Sequence, residues 1–362
     1  MFSAYPESVF GWVLRCAEKW RQVMNKVRLA DIAEQVGVST VTVHNALNGQ
    51  KGVSDEVRAR IRKVADEMGY HHGGMSTKPP RDSRFRNVGV IISEKYLAEY
   101  TTFYWKMYQE MAIVATDKNC LTPVEILKRE AEARLIMPRI VGDEAIDGLI
   151  MMGEINKAYI HRMKQLFHIP MIFLDFYDKE LAENAVVTDN FYGMYLLTEY
   201  LFEQGIRKIA YVGSIHAAST IMDRYCGFYR AMMQHGVPVS TEWVLEDRNE
   251  AGELQITIPE QLPEAFVCNC DLVAGMVIVK LEERGIRVPE DISVVGFDNY
   301  LYPGFPDKRI TTYEVNMRAM AKVALDKVLK MIRNPGAGRG LDIVSGRIVE
   351  KESVRLKINV DV

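Results

Sequence analysis

The stretch LADIAEQVGVSTVTVHNAL, residues 29–47, decides how the N-terminal part of this chain is read. Leu29, Ile32, Ala33 and Val36 recur at i, i+3, i+4 and i+7, one face of a short helix. Gly37 follows, a residue that takes the positive φ of a helix C-cap without strain. Val38 then turns into a core, and Ser39 stands where an N-cap hydroxyl starts a second helix carrying Val43, Ala46 and Leu47 inward. Further on, Ser54 caps a third helix with Asp55 and Glu56 in its first turn, where the helix dipole favours anions. Its apolar stripe is Val57, Ile61, Val64, Ala65 and Met68, and Gly69 stops it. Two short helices joined by a glycine turn and backed by a third describe a helix-turn-helix, whose second helix enters the DNA major groove by its N-terminal residues. A three-helix bundle with no DNA role would show the same stripes. The shortness of the first pair and the hydroxyl-rich start of the second helix favour the DNA reader.

Working outward, 362 residues with 48% hydrophobic and 26% charged content fit two or three globular domains. The longest apolar runs, such as residues 169–174, stop well short of the roughly 20 residues a membrane span needs. Glu7 precedes any basic residue and no small-residue cleavage site follows, so no signal peptide is read and a cytoplasmic protein is expected. The five cysteines, Cys16, Cys120, Cys226, Cys268 and Cys270, suit reduced thiols better than a disulfide framework. Cys268 and Cys270 have the spacing of a metal or redox pair but no His or Cys partner nearby, so inert thiols are the expectation. Residues 26–86 hold 11 Lys and Arg against 7 Asp and Glu, a net of +4, whereas residues 87–362 carry −8. A basic head on an acidic body lets one end alone approach phosphates. No phosphate-cradling glycine loop, metal-ligand spacing or nucleophile elbow is present, and nothing pairs Glu94 or Asp298 with a chemical task. The chain is therefore not read as an enzyme, and no cofactor is expected.

From Val88 onward β-like runs alternate with helical stretches, the signature of parallel α/β units. Residues 88–92, 147–151, 171–175, 208–213, 265–269 and 293–297 read as strands, in two sets spanning roughly 88–190 and 200–310. Two such parallel sheets make a two-lobed binding protein with its ligand at the strand carboxyl ends, in the cleft.

Residues 27–70 resemble the DNA-binding head of the lac-repressor (LacI) family of bacterial transcription regulators, through VRLADIAEQVGVSTVTVHNALN, then Val53-Ser54 and Gly69-Tyr70. The resemblance places Thr40, Val41, His44 and Asn45 at base-reading positions, and Ser39, Thr42, Asn48 and Ser54 at phosphate-contacting ones, with Tyr70 closing the head. The residue chemistry agrees with this: Asn45 can pair bidentately with adenine and Val41 can pack on a thymine methyl, while hydroxyls position the backbone. His44 can donate to a guanine or to a phosphate. The family usually carries Ser-Arg where this chain has His44-Asn45, so family operators are not assumed. After Tyr70 the family forms a hinge helix that wedges a leucine into the minor groove; here Gly73, Gly74, Pro79 and Pro80 oppose a helix. An irregular hinge without that wedge is expected, with Arg81, Arg84 and Arg86 either on phosphate or solvated.

The resemblance continues through the rest of the chain as a periplasmic-binding-protein-like sensor, marked by 146–150, 188–193, 205–213, 224–228, 284–299 and 310–312. It implies that Arg224 and Asp298 clamp an effector, that Asp175 adds a strand-end contact and that Phe103 or Tyr104 supplies a stacking wall. Arg224 can instead be a structural ion pair with Asp223 or a neighbour, and Asp298 an N-cap. The family's effector-contacting Asn is Cys270 here; a thiol is a poor hydrogen-bond partner, so sugar recognition is altered or the effector differs.

The expected organisation is a leader over 1–23 of doubtful status, with Met24 as the natural start, a head over 24–70, a hinge over 71–87 and a two-lobed sensor and dimerisation domain over 88–362. The expected function is an allosteric repressor, a homodimer on near-palindromic double-stranded DNA, controlled by a small molecule, a carbohydrate by the resemblance. The alternatives are control by a protein corepressor or non-sugar metabolite and, more remotely, a solute receptor.

Overall fold

The computed structural model describes residues 29–47, 52–68, 70, 85–97, 103–179, 184–249, 251–302 and 310–357, in two units, Met1–Arg84 and Phe85–Val362. The leader 1–23, Asn48 and the hinge positions 71–84 lie outside the described residues.

In the first unit, α1 (Leu29–Val36), α2 (Thr40–Leu47) and α3 (Asp55–Glu67) close on one small core. Ile32, Ala33 and Val36 of α1, Val43 and Ala46 of α2, and Ile61 and Ala65 of α3 are buried together. Gly37 has φ +78° with open space where a Cβ would stand, so its backbone conformation, not crowding, calls for glycine. The Gly37 and Val38 amides both donate to the Ala33 carbonyl, at 2.9 and 3.0 Å, and close α1. Arg58 adds a tie that the apolar stripes do not announce: its guanidinium donates to the Ala46 carbonyl at 3.3 Å, at the end of α2.

The second unit holds two sheets. The first is built by β1 (Arg86–Ser93), α4 (Phe103–Thr116), β2 (Cys120–Leu121), β3 (Val124–Leu127), α5 (Arg129–Ala133), β4 (Gly148–Met152), α6 (Lys157–Leu166), β5 (Met171–Leu174) and β6 (Asn184–Thr188). The second follows with α7 (Asn190–Glu203), β7 (Ile209–Val212), α8 (Ser219–Gln234), β8 (Val244–Leu245), β9 (Ala265–Cys268), α9 (Asp271–Glu283), β10 (Ser293–Asp298) and β11 (Thr311–Glu314). β4, β5, β7, β9 and β10 are buried at every position, as strands covered on both faces by helices must be. All six strands expected from the sequence are present, each within two residues of its expected ends.

The expected division into consecutive sets is incomplete. After β11 the chain returns to the first lobe, where α10 (Met317–Arg333) packs beside α4 and β12 (Gly340–Val344) extends the sheet in parallel with β6. It then goes back as β13 (Arg347–Val349), antiparallel to β11, so the second sheet is not wholly parallel. The orders are β12-β6-β5-β4-β1-β2, with β3 also on β1, and β13-β11-β10-β9-β7-β8. The chain thus passes between lobes after β6, β11 and β12. β12 is short and largely exposed, which hides it from an apolar pattern search. Its place is held instead by Lys327, a buried cation in α10 that donates to the Gly340 carbonyl at 2.6 Å and pairs with Asp342.

Candidate DNA-reading helix and interlobe cleft

Ser39 caps α2 as expected: its Oγ accepts from the Thr42 amide at 3.1 Å and lies 2.8 Å from the Thr42 hydroxyl. With Val43 and Ala46 fixed in the core and Leu47 packed against it, positions 40–42, 44 and 45 of this two-turn helix are left for the outer face. Thr40, Val41 and His44 are exposed, and Thr42 and Asn45 are half-buried. Val41 is 64% exposed, while Val43 two positions on is fully buried. An exposed valine beside hydroxyls and an amide is a surface shaped for base edges and phosphates. Ser54 caps α3 through the Val57 amide at 3.4 Å, and half-buried Tyr70 is anchored by its amide on the Ala65 carbonyl at 2.8 Å.

In the second unit the polar side chains gather at the strand carboxyl ends. β5 runs into Asp175 at φ +65°, and β10 ends on Asp298 and Asn299 at φ +114° and +52°. Positive φ in these non-glycine residues is uncommon and marks backbone held in place by its surroundings. Asp175 is buried; its Oδ2 accepts from the Tyr104 hydroxyl at 2.8 Å, whereas Oδ1 is buried with no hydrogen-bond partner. Tyr104 and Phe103 open α4; the Tyr96 ring lies 4.5 Å from Tyr104, and Phe103 meets Tyr300 of the other lobe edge-on at 6.5 Å. Burial pushes the Asp175 carboxyl up, against the pull of Arg224.

Arg224, on α8, is also buried. Its Nε donates to Asn190 Oδ1 at 2.8 Å and its Nη1 to the Asn269 carbonyl at 2.7 Å, and its guanidinium lies 4.0 Å over the Phe297 ring. Its ionic neighbour is Asp298, 3.6 Å away, and not Asp223, which accepts from the Tyr177 hydroxyl across the lobes at 2.8 Å. Burial drives the Asp298 carboxyl well above the usual range against the pull of Arg224, and the nearby Asp271 and Asp175 push it the same way as burial. Asp298 also borders an open cavity of about 740 Å³ with Lys106, Tyr300 and Asn316. Cys268 is sealed in the second lobe's core, and burial pushes the Cys270 thiol up to about 12, so it stays protonated.

Two further acids escape sequence reasoning. Asp247 is fully buried and accepts from the Ser214 amide at 2.9 Å, from Arg248 through both oxygens at 2.9 Å and from Asn269 Nδ2 at 2.6 Å. Burial opposes its charge, yet these donors hold the carboxyl down at about 2. Asp271 accepts from the Thr312 hydroxyl at 2.7 Å and the Tyr300 amide at 2.9 Å, and burial pushes it up to about 7. Its Oδ1 would lie 2.1 Å from a Cβ at position 296, so Gly296 is required there. Cys270-Asp271 draws notice in the sequence only for its cysteine, and no motif covers Asp247.

Residues 28–72 match the model of bacterial regulatory proteins of the lacI family, and residues 198–354 that of the periplasmic binding protein-like domain. The HTH-type transcriptional repressor PurR of Aliivibrio salmonicida is 23% identical over 337 residues, 90% of this chain and 98% of that protein. PurR of Pectobacterium carotovorum is 27% identical over 341 residues, 90% and 96% of the two chains. Among solved structures, the lac repressor dimer bound to operator and the anti-inducer ONPF aligns with TM-score 0.63 at 20% identity, covering 91% of this chain and 99% of that one. The transcriptional regulator CelR in complex with cellobiose aligns with TM-score 0.62 at 19% identity, covering 90% and 99%.

Proposed function

We propose that this chain, whose residues 28–72 match the lacI family of bacterial regulatory proteins, is a cytoplasmic, dimeric repressor whose operator affinity is set by a small molecule held between the sensor lobes. The observation that carries the sensor half is the buried, partnerless Asp175 Oδ1 at a strand end facing the second lobe, an acceptor that a ligand donor would satisfy. The outward face of α2, with Val41 and Asn45 at its centre, supports the DNA half.

A carbohydrate is the effector class the sequence resemblance implies, and the cellobiose complex of CelR supports it. A purine is the second class, favoured by the PurR relatives. The deciding experiment selects an operator from random DNA with the purified chain, then follows its binding by fluorescence anisotropy while sugars and purines are added. A near-palindromic consensus whose affinity changes at least tenfold with one compound supports the reading. A chain that selects no DNA sequence refutes the regulator role. An operator indifferent to both classes refutes control by a sugar or purine.

A further inference from the structure

Among the described residues the polar groups around the cleft floor are unbalanced, with a buried acceptor that lacks a donor and most donors already used. The Tyr104 hydroxyl donates to Asp175 and the Tyr96 hydroxyl to the Glu154 carbonyl at 3.1 Å. Arg224 gives Nε and Nη1 to Asn190 and the Asn269 carbonyl. The amides of those two asparagines donate in turn to the Thr188 carbonyl at 3.2 Å and to Asp247 at 2.6 Å. The lysine beside Asp298, Lys106, pairs with Glu110 at 3.1 Å. Against this, Asp175 Oδ1 receives nothing, and the approach to Asp298 from Arg224 is 3.6 Å, too long for a hydrogen bond.

The charges lean the same way. Asp175 and Asp298, one from each lobe, share a single buried guanidinium, and Asp271 stands behind Asp298. A neutral sugar or purine brings acceptors as well as donors, and the donors named above already have acceptors; Ser219 Oγ, buried without a partner, is an exception among the described residues. An ammonium or amidinium group brings donors only, supplies positive charge to the two acids and is attracted to the Tyr104 ring beside Asp175, the Tyr96 ring already carrying Lys95 Nζ at 5.0 Å.

Resting on the reading of this cleft as the effector site, we infer that the effector is a cationic nitrogen compound whose protonated amine or amidine engages Asp175 and Asp298. Asp175 sets the preference for charge, and the tyrosines hold the carbon skeleton.

The test titrates the full chain by calorimetry at pH 7 with matched pairs: glucosamine and glucose, tyramine and 4-ethylphenol, putrescine and 1,4-butanediol, with hypoxanthine added alone. At least one amine is expected to bind at least tenfold tighter than its uncharged partner, and Asp175→Asn, which keeps the shape, is expected to bring the pair within twofold. Asp298→Asn is the second variant, expected to act in the same direction, with thermal melts confirming that each folds. Silence from every amine overturns the inference, as does tighter binding of an uncharged member or an amine preference that survives both variants. If glucose or hypoxanthine shifts operator binding while the amines do nothing, the charge assignment falls and the regulator reading stands. Since the titration contains no DNA, failure to select an operator would leave its result intact.

Discussion

The reading helix of the head and the floor of the sensor cleft place their candidate functional side chains in opposite settings. On α2 the candidate base-reading positions are exposed or half-buried, while Val43 and Ala46, with Leu47 partly, make the core contacts behind them. In the cleft Asp175, Arg224 and Asp298 are as buried as the core itself. The head can therefore vary its specificity with little cost to folding, since exposed substitutions usually change stability by less than about 0.5 kcal/mol. In the second unit the candidate ligand contacts also carry the electrostatics of the fold, so on the proposed reading function and stability move together there.

The contrast is sharpest at Asp247, where buried charge is fully satisfied. Asp247→Ala would leave Arg248, Ser214 and Asn269 without their acceptor, and the loss expected in urea denaturation is about 3–5 kcal/mol. The pH dependence carries a definite sign. Its folded carboxyl, at about 2, sits below an unfolded value of about 4, so its contribution is full above about 4 and lost as pH falls through 2. A stability profile from pH 5 to 2 that is the same for Asp247→Asn and the parent would refute this.

Arg224→Ala is expected to cost about 2–4 kcal/mol of folding stability, because Asn190 and the Asn269 carbonyl lose a shared donor and Asp298 its ionic neighbour. Lysine should not restore it, lacking the planar fork. Normal stability with abolished effector response would instead make Arg224 a ligand clamp first.

Asn45→Ala should cost about 1–3 kcal/mol of operator binding at one base position per half-site while the melting temperature holds. An equal loss at every operator variant would remove Asn45 from the base readers. Asp175→Asn gives the smallest expected change in stability, within about 1 kcal/mol, because a donor-poor acid loses little by becoming neutral. Its pH sign is opposite to that of Asp247: with the folded carboxyl raised, stability falls as pH rises through the folded value, and Asn should flatten that fall. Parallel slopes for the two acids would erase the distinction between them.

What the sequence shows and hides follows from range. The turn at Gly37, the caps at Ser39 and Ser54 and the six expected strands are local patterns, and all are found where residue spacing puts them. The family resemblance made Asp175 and Asp298 candidates, and both lie at strand carboxyl ends. The partners of Arg224 could not be read, since Asn190 and Asn269 stand 34 and 45 residues away. Asp247 drew no notice because its donors converge only once β7, β8 and β9 have aligned. The return of α10 and β12 to the first sheet is likewise a matter of topology, and no periodicity encodes it.

That return sets an order on the protein's synthesis. The first sheet begins with Arg86, the first residue of β1, yet its edge strand β12 leaves the ribosome after every described strand of the second sheet except β13. The second lobe has all but β13 in hand by Glu314, while the first waits with β6 exposed along one side until Val344 emerges. A premature stop anywhere between these residues would leave the newer lobe nearly whole and the older one open, with an unpaired edge to offer to other chains.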